Sequence, residues 1–86
     1  MTEAEVYDKL TAIFREFFDN PGLVILPDTS PGDIDGWDSA KTVSILLEIE
    51  ELFGFEMSSD EIDGLRRVAD FVAVILSRTG GSSARP

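Results

Sequence analysis

Three stretches of this chain place apolar residues three and four positions apart, and that spacing restricts it to helices packed on one another. In the first stretch Val6, Leu10, Ile13, Phe14 and Phe17 recur at helical period. In the second, Thr42, Ile45, Leu46, Ile49, Leu52 and Phe53 fall within one arc of about 120° when drawn at about 100° per residue. In the third, Val68, Phe71, Val72, Ile75 and Leu76 make the stripe. With 86 residues there is material for one small domain around one core.

Start and stop signals bound these helices. Thr2 and Glu5 can form a capping box, which predicts a first helix over 3–18, stopped by "DNPG" at 19–22. Asp38 is the expected N-cap of a second helix ending at Phe53, with Gly54 just beyond it. A second capping box, Ser58 with Glu61, predicts a short helix over 59–64, closed by Gly64. The last helix is expected over 67–78. Residues 19–38 make a long connection, which Leu23, Val24, Ile25, Leu26 and Ile34 are expected to pin to the core. The result is an all-α fold, a small four-helix bundle with a long first loop and a short third helix. Residues 1–78 form the domain and 79–86, "TGGSSARP", a flexible tail.

Composition removes several kinds of chemistry. The chain has no Cys and no His, so thiolate catalysis and the commonest general base and metal ligand are absent. A net charge of −10 argues against nucleic acid and anionic membrane surfaces and favours basic partner surfaces. No segment has the length of a membrane span, and "MTEAEVYDKL" lacks the basic start and apolar run of a signal peptide, so a cytoplasmic monomer is expected. The acids at 33–38 invite a calcium-loop reading. Placing Gly36 sixth in such a loop puts Pro31 first and Thr42 twelfth, where ligands are required, so no metal is expected there. Paired-carboxylate hydrolysis is poorly supported, because the acids spread over helix faces, and no catalytic residue is assigned.

The second helix has two faces. Opposite the core arc lie Ala40, Val43, Ser44, Leu47 and Glu51, so Val43 and Leu47 are apolar residues pointing away from the core, with Glu48, Glu50 and Glu51 around them. Such residues are either ordinary surface or a docking strip in an acidic frame. The strip begins at Ser39, the first residue of the helix. Ser39 is either a plain helix starter or an attachment point, since a helix N-terminus accommodates a phosphate diester. No neighbouring base in the sequence makes it a nucleophile, so modification by another enzyme suits it better than catalysis.

The stretch "DIDGWDSAKTVSILLEIEELFGFEMSSDEI" resembles the acyl carrier proteins and, by extension, peptidyl carrier domains. An Asp-Ser pair opens the helix, a Val and a Glu-rich exposed side follow, and Phe closes it; a short acidic helix and a final helix led by Val68 come next. "LPDTSPGDIDGWDS" looks like the family's first loop. The resemblance implies a 4′-phosphopantetheine arm on Ser39, placed there from coenzyme A by a phosphopantetheinyl transferase using magnesium. It implies acyl thioesters on the arm, and acyl-loading and acyl-transferring enzymes with basic docking surfaces at Asp38, Ala40, Val43, Ser44, Leu47, Glu48, Glu50 and Glu51. Ala40 stands where the family usually has Leu, and Lys41 where acidic or small polar residues are frequent. The chain is therefore expected to be a carrier for fatty-acid, polyketide or other specialised biosynthesis. An aminoacyl or peptidyl carrier loaded by an adenylating enzyme, and an unmodified helical interaction module, are the alternatives.

Overall fold

Local capping chemistry sets where each helix begins. In the computed structural model, which describes residues 2–79, Thr2 accepts from the Glu5 N–H while Glu5 accepts from the Thr2 N–H, and α1 runs Glu3–Phe17. Asp19 then takes a left-handed conformation (φ 50°), which a short polar side chain tolerates, and the chain turns away. Asp38 accepts from the Lys41 N–H at 2.8 Å and starts α2, Ser39–Phe53. Gly54 at φ 77° ends it, in a region a side chain rarely enters. The Ser58–Glu61 box starts α3, Ser59–Asp63, and α4 follows at Val68–Arg78. These bounds agree with the sequence expectations to within a residue. Of the expected tail, Thr79 is the C-cap of α4, its hydroxyl donating to the Ile75 carbonyl; residues 80–86 lie outside the described residues.

The core is one cluster. Val6, Leu10, Ile13 and Phe14 of α1 meet Ile45, Leu46 and Ile49 of α2 and Val68, Phe71, Val72 and Ile75 of α4. Leu52 departs from expectation: it is 48% exposed although it lies in the core arc of α2. It overhangs an open groove beside α1, where no facing side chain covers it. Phe53 is half-buried against the core and not enclosed within it. Among the described residues no helix is long and apolar enough to cross a membrane.

The long connection is held by few but specific bonds. Arg15 Nε donates to the Leu23 carbonyl at 2.8 Å, and the Pro27 and Thr29 carbonyls accept from the Ala69 and Val68 N–H groups at the start of α4. The loop thus supplies acceptors that the first turn of a helix cannot find within itself. Of its four consecutive apolar residues, Leu23 and Ile25 face the core, whereas Val24 and Leu26 are 66% and 60% exposed. An extended backbone sends successive side chains to opposite sides, so only alternate residues can pin it. Ile34 packs against the core as expected, after a single 3₁₀ turn at Pro31–Asp33.

The short α3 is fastened at its own capping residue. The Arg78 guanidinium donates to both Glu61 oxygens, at 2.7 and 2.9 Å, and lies 5.9 Å from the Phe55 ring. The paired guanidinium, with the Ser58 N–H, pulls the Glu61 carboxyl down to about 2.

Candidate functional site

The N-terminus of α2 is built from side chains on both sides of the Asp38 cap. Ahead of it Gly36 (φ 89°) turns the chain so that Trp37 enters the core, 6% exposed. Trp37 and Thr42 occupy the positions where a hydrophobic staple joins the residue before an N-cap to the fourth residue of the helix. Here a hydrogen bond supplements the packing: the indole Nε1 donates to Thr42 Oγ1 at 2.8 Å, and that hydroxyl donates to the Asp38 carbonyl at 3.1 Å. The indole meets Phe14 edge to face at 5.1 Å between ring centroids, with Phe71 at 6.1 Å and Phe18 at 6.2 Å. The core reading of the sequence omitted Trp37, which lies in loop sequence without periodicity. Its staple position was the signal that could have found it.

Ser39 sits on top of this structure at the first helical position and is exposed. Asp38 is occupied with the Lys41 N–H, while the Ser39 and Ala40 N–H groups precede the first intrahelical acceptor and point out of the helix end. An exposed hydroxyl beside free helix donors fits a phosphodiester attachment. The positive charge of Lys41 does not project freely: its ammonium lies 5.8 Å from the Phe18 ring, on the side away from the exposed face.

Below Ser39 one stripe of α2 meets solvent. Val43 is 56% exposed and Leu47 62%, and Ala40, Ser44 and Glu51 are exposed with them. Residues 39, 43, 47 and 51 are each one turn apart, so the stripe runs about 18 Å from the serine. Two of the expected interface acids are placed differently. Glu50 is half-buried and its Oε2 accepts from the Met57 N–H at 2.8 Å, holding the turn between α2 and α3. Glu48 is half-buried and lines the groove toward α1 with Lys9, Ala12, Ile13, Glu16 and Leu52. Successive helix positions differ by about 100°, so these two flank the stripe while Glu51 continues it. Among the described residues no group of three or more acidic side chains is placed to hold a metal ion.

The chain is 31% identical over 81 residues to the acyl carrier protein of Lactobacillus acidophilus, covering 93% of this chain and 100% of that one. It is 31% identical over 78 residues to the acyl carrier protein of Lactobacillus johnsonii, covering 90% and 96%. The fold superposes on the solution structure of a holo acyl carrier protein from Geobacter metallireducens with a TM-score of 0.77 at 29% identity, covering 92% of this chain and 94% of that one. No protein-family profile matches the chain.

Proposed function

Because the chain belongs to the acyl carrier protein family, we propose that it carries acyl groups as thioesters on a 4′-phosphopantetheine arm attached to Ser39 and presents them to partner enzymes. The observation that carries this reading is the placement of Ser39. It is the exposed first residue of α2, at the head of the exposed stripe formed by Val43, Leu47 and Glu51. Attachment requires the serine oxygen to reach a phosphate on another molecule, and an exposed hydroxyl above a rigid, stapled helix start meets that need. The arm supplies the thiol that this Cys-free chain lacks.

The chain's own part is presentation. Trp37 and Thr42 fix the direction of the first turn, and the Asp38 carboxylate holds its Lys41 N–H. Val43 and Leu47 offer an apolar anchor, and Asp38 and Glu51 offer charges that steer basic partner surfaces. Glu50 and Glu48 contribute to the field of the helix while their side chains serve the α2–α3 turn and the α1 groove. The partners are a phosphopantetheinyl transferase and the enzymes that load and unload the arm.

Incubation with coenzyme A, magnesium and a broad-range transferase should add one phosphopantetheine group, read by intact-protein mass spectrometry. Ser39→Ala should abolish the addition and keep the melting temperature, since an exposed first-turn serine contributes little to stability. A wild-type protein left unmodified by several transferases would identify the domain as a plain interaction module.

A further inference from the structure

A second open surface lies beside the stripe of α2. Ser44, Glu48 and Leu52 stand about 60°, 100° and 140° round the helix from Leu47, at about 100° per residue, so the stripe passes without a break into the groove between α2 and α1. On its other side α1 presents Lys9, Ala12 and Glu16, three and four residues apart. Ala12 is exposed and offers only a methyl group, so Leu52 stays 48% exposed and an open groove of about 390 Å³ remains over the buried Ile13.

The groove is polarised. Phe18 at the end of α1 meets Lys41 near the start of α2, so Glu16 and Glu48 mark the end of the groove nearer Ser39. Lys9 lies about 10 Å further along α1, and Leu52 one turn further along α2. Among the described residues none of Lys9, Glu16 and Glu48 makes an ion pair. A long cationic side chain matches this arrangement, its methylenes on Ala12 and Leu52 and its head between the two carboxylates. A second copy of the chain does not, since two proteins of net charge −10 repel each other. The groove is also within reach of an enzyme working at Ser39. Glu48 is about 14 Å from Ser39 along the helix, and a patch of about 800 Å² on one partner is roughly 30 Å across.

We propose that the α1–α2 groove is a docking surface in addition to the stripe, and that it receives an arginine or lysine, with a neighbouring apolar side chain, from an enzyme acting at Ser39. The inference rests on attachment at Ser39 and goes beyond it by naming a second contact and the chemistry of the segment that fills it.

The first arm needs no modification. A helix-forming peptide with leucine and arginine four residues apart is titrated into ¹⁵N-labelled Ser39→Ala protein, beside a peptide with glutamine for the arginine. The arginine peptide should shift the amides of Ala12, Glu16, Glu48 and Leu52. The shifts should weaken with salt and with the glutamine peptide. Shifts confined to Val43 and Leu47, or spread over all the acidic residues, would overturn the proposal.

The second arm puts the occupant into the groove from within. In Ala12→Arg the guanidinium can meet Glu16, four residues on, so melting should hold or rise. The peptide shifts in the groove should disappear, and the transferase KM should rise several-fold with kcat unchanged. Ala73→Arg, at an exposed position on α4, adds the same charge and should leave KM near the wild type. Undiminished peptide shifts or an unchanged KM in Ala12→Arg would refute the docking role. If that variant lacks a cooperative melt, Glu16→Gln combined with Glu48→Gln carries the comparison. Failure of the transferase to modify the wild type would count against attachment at Ser39 alone, while the titration still decides the chemistry of the groove.

Discussion

Replacing Thr42 by Val isolates the bond that fixes the start of α2. The two side chains have nearly the same shape, and their helix propensities are close. What disappears is the acceptor for Trp37 Nε1, at 2.8 Å, in a residue only 6% exposed. A buried donor left without a partner costs about 1–3 kcal/mol. The second bond lost, from Thr42 Oγ1 to the Asp38 carbonyl, matters less, because that carbonyl still accepts from the Thr42 N–H at 2.9 Å. The half-buried site gives the new methyl a small compensating gain. The net expectation is a loss of about 1–2 kcal/mol. For a domain this small that lowers Tm by roughly 5–15 °C. Thr42→Ser keeps the hydroxyl and should lose only about 0.5 kcal/mol, from part of one methyl group. Trp37→Phe removes the donor, so adding Thr42→Val to it should be nearly neutral, giving a coupling of about 1 kcal/mol or more in the double-mutant cycle. Thermal melts by circular dichroism read the wild type and all four variants. If Thr42→Val melts with the wild type, or loses as much in the Trp37→Phe background, the bond does not hold this helix start and the reasoning fails.

Phe14→Ala should cost about 3–5 kcal/mol and threaten folding, since Phe14 is fully buried among three other rings. Phe53→Ala, at a half-buried site, should cost nearer 1–2 kcal/mol; equal melts for the two variants would contradict this ranking. Leu47→Ala should melt within about 0.5 kcal/mol of wild type yet slow transferase modification, and a large fall in melting would mean that Leu47 is core. Glu51→Lys should slow association in a way that salt screens away, whereas Glu50→Lys should in addition lower melting by releasing the Met57 N–H; stopped-flow association at two salt concentrations beside melts separates them. Glu61, whose folded carboxyl lies at about 2 against an ordinary 4.5, stabilises fully above 4.5 and loses that contribution as pH falls toward about 2. Glu61→Gln should therefore differ from wild type in melting at neutral pH and converge with it near pH 2, and a constant difference across that range would remove the carboxylate from the account.

The residues around α2 show how far sequence reading reaches. The Asp38 cap, the Gly54 stop, both capping boxes and the exposure of Val43 and Leu47 were all legible, because each depends on neighbours within about four residues or on helical period alone. The place of Ser39 as the first residue of α2 was legible from the Asp38 cap before it. Leu52 was misjudged because a helical arc says which way a side chain points but not whether a neighbouring helix is there to meet it. Glu50 was read as a free acid because its partner, the Met57 N–H, comes within reach only once the chain folds back after Gly54. The Arg78–Glu61 pair spans seventeen residues, with no periodic signal to join them.

The sequence by itself determined the helices, their ends and the two-sided character of α2, since hydrogen bonds within a turn and the angle between successive side chains are local properties. Only the tertiary structure decided that Trp37 fills the core beneath Ser39, that Leu23 and Ile25 turn inward while Val24 and Leu26 stay in water, and that Lys41 lies over Phe18. Those outcomes depend on which surfaces α1, α2 and α4 leave uncovered once packed, a three-body geometry that no short window of residues contains.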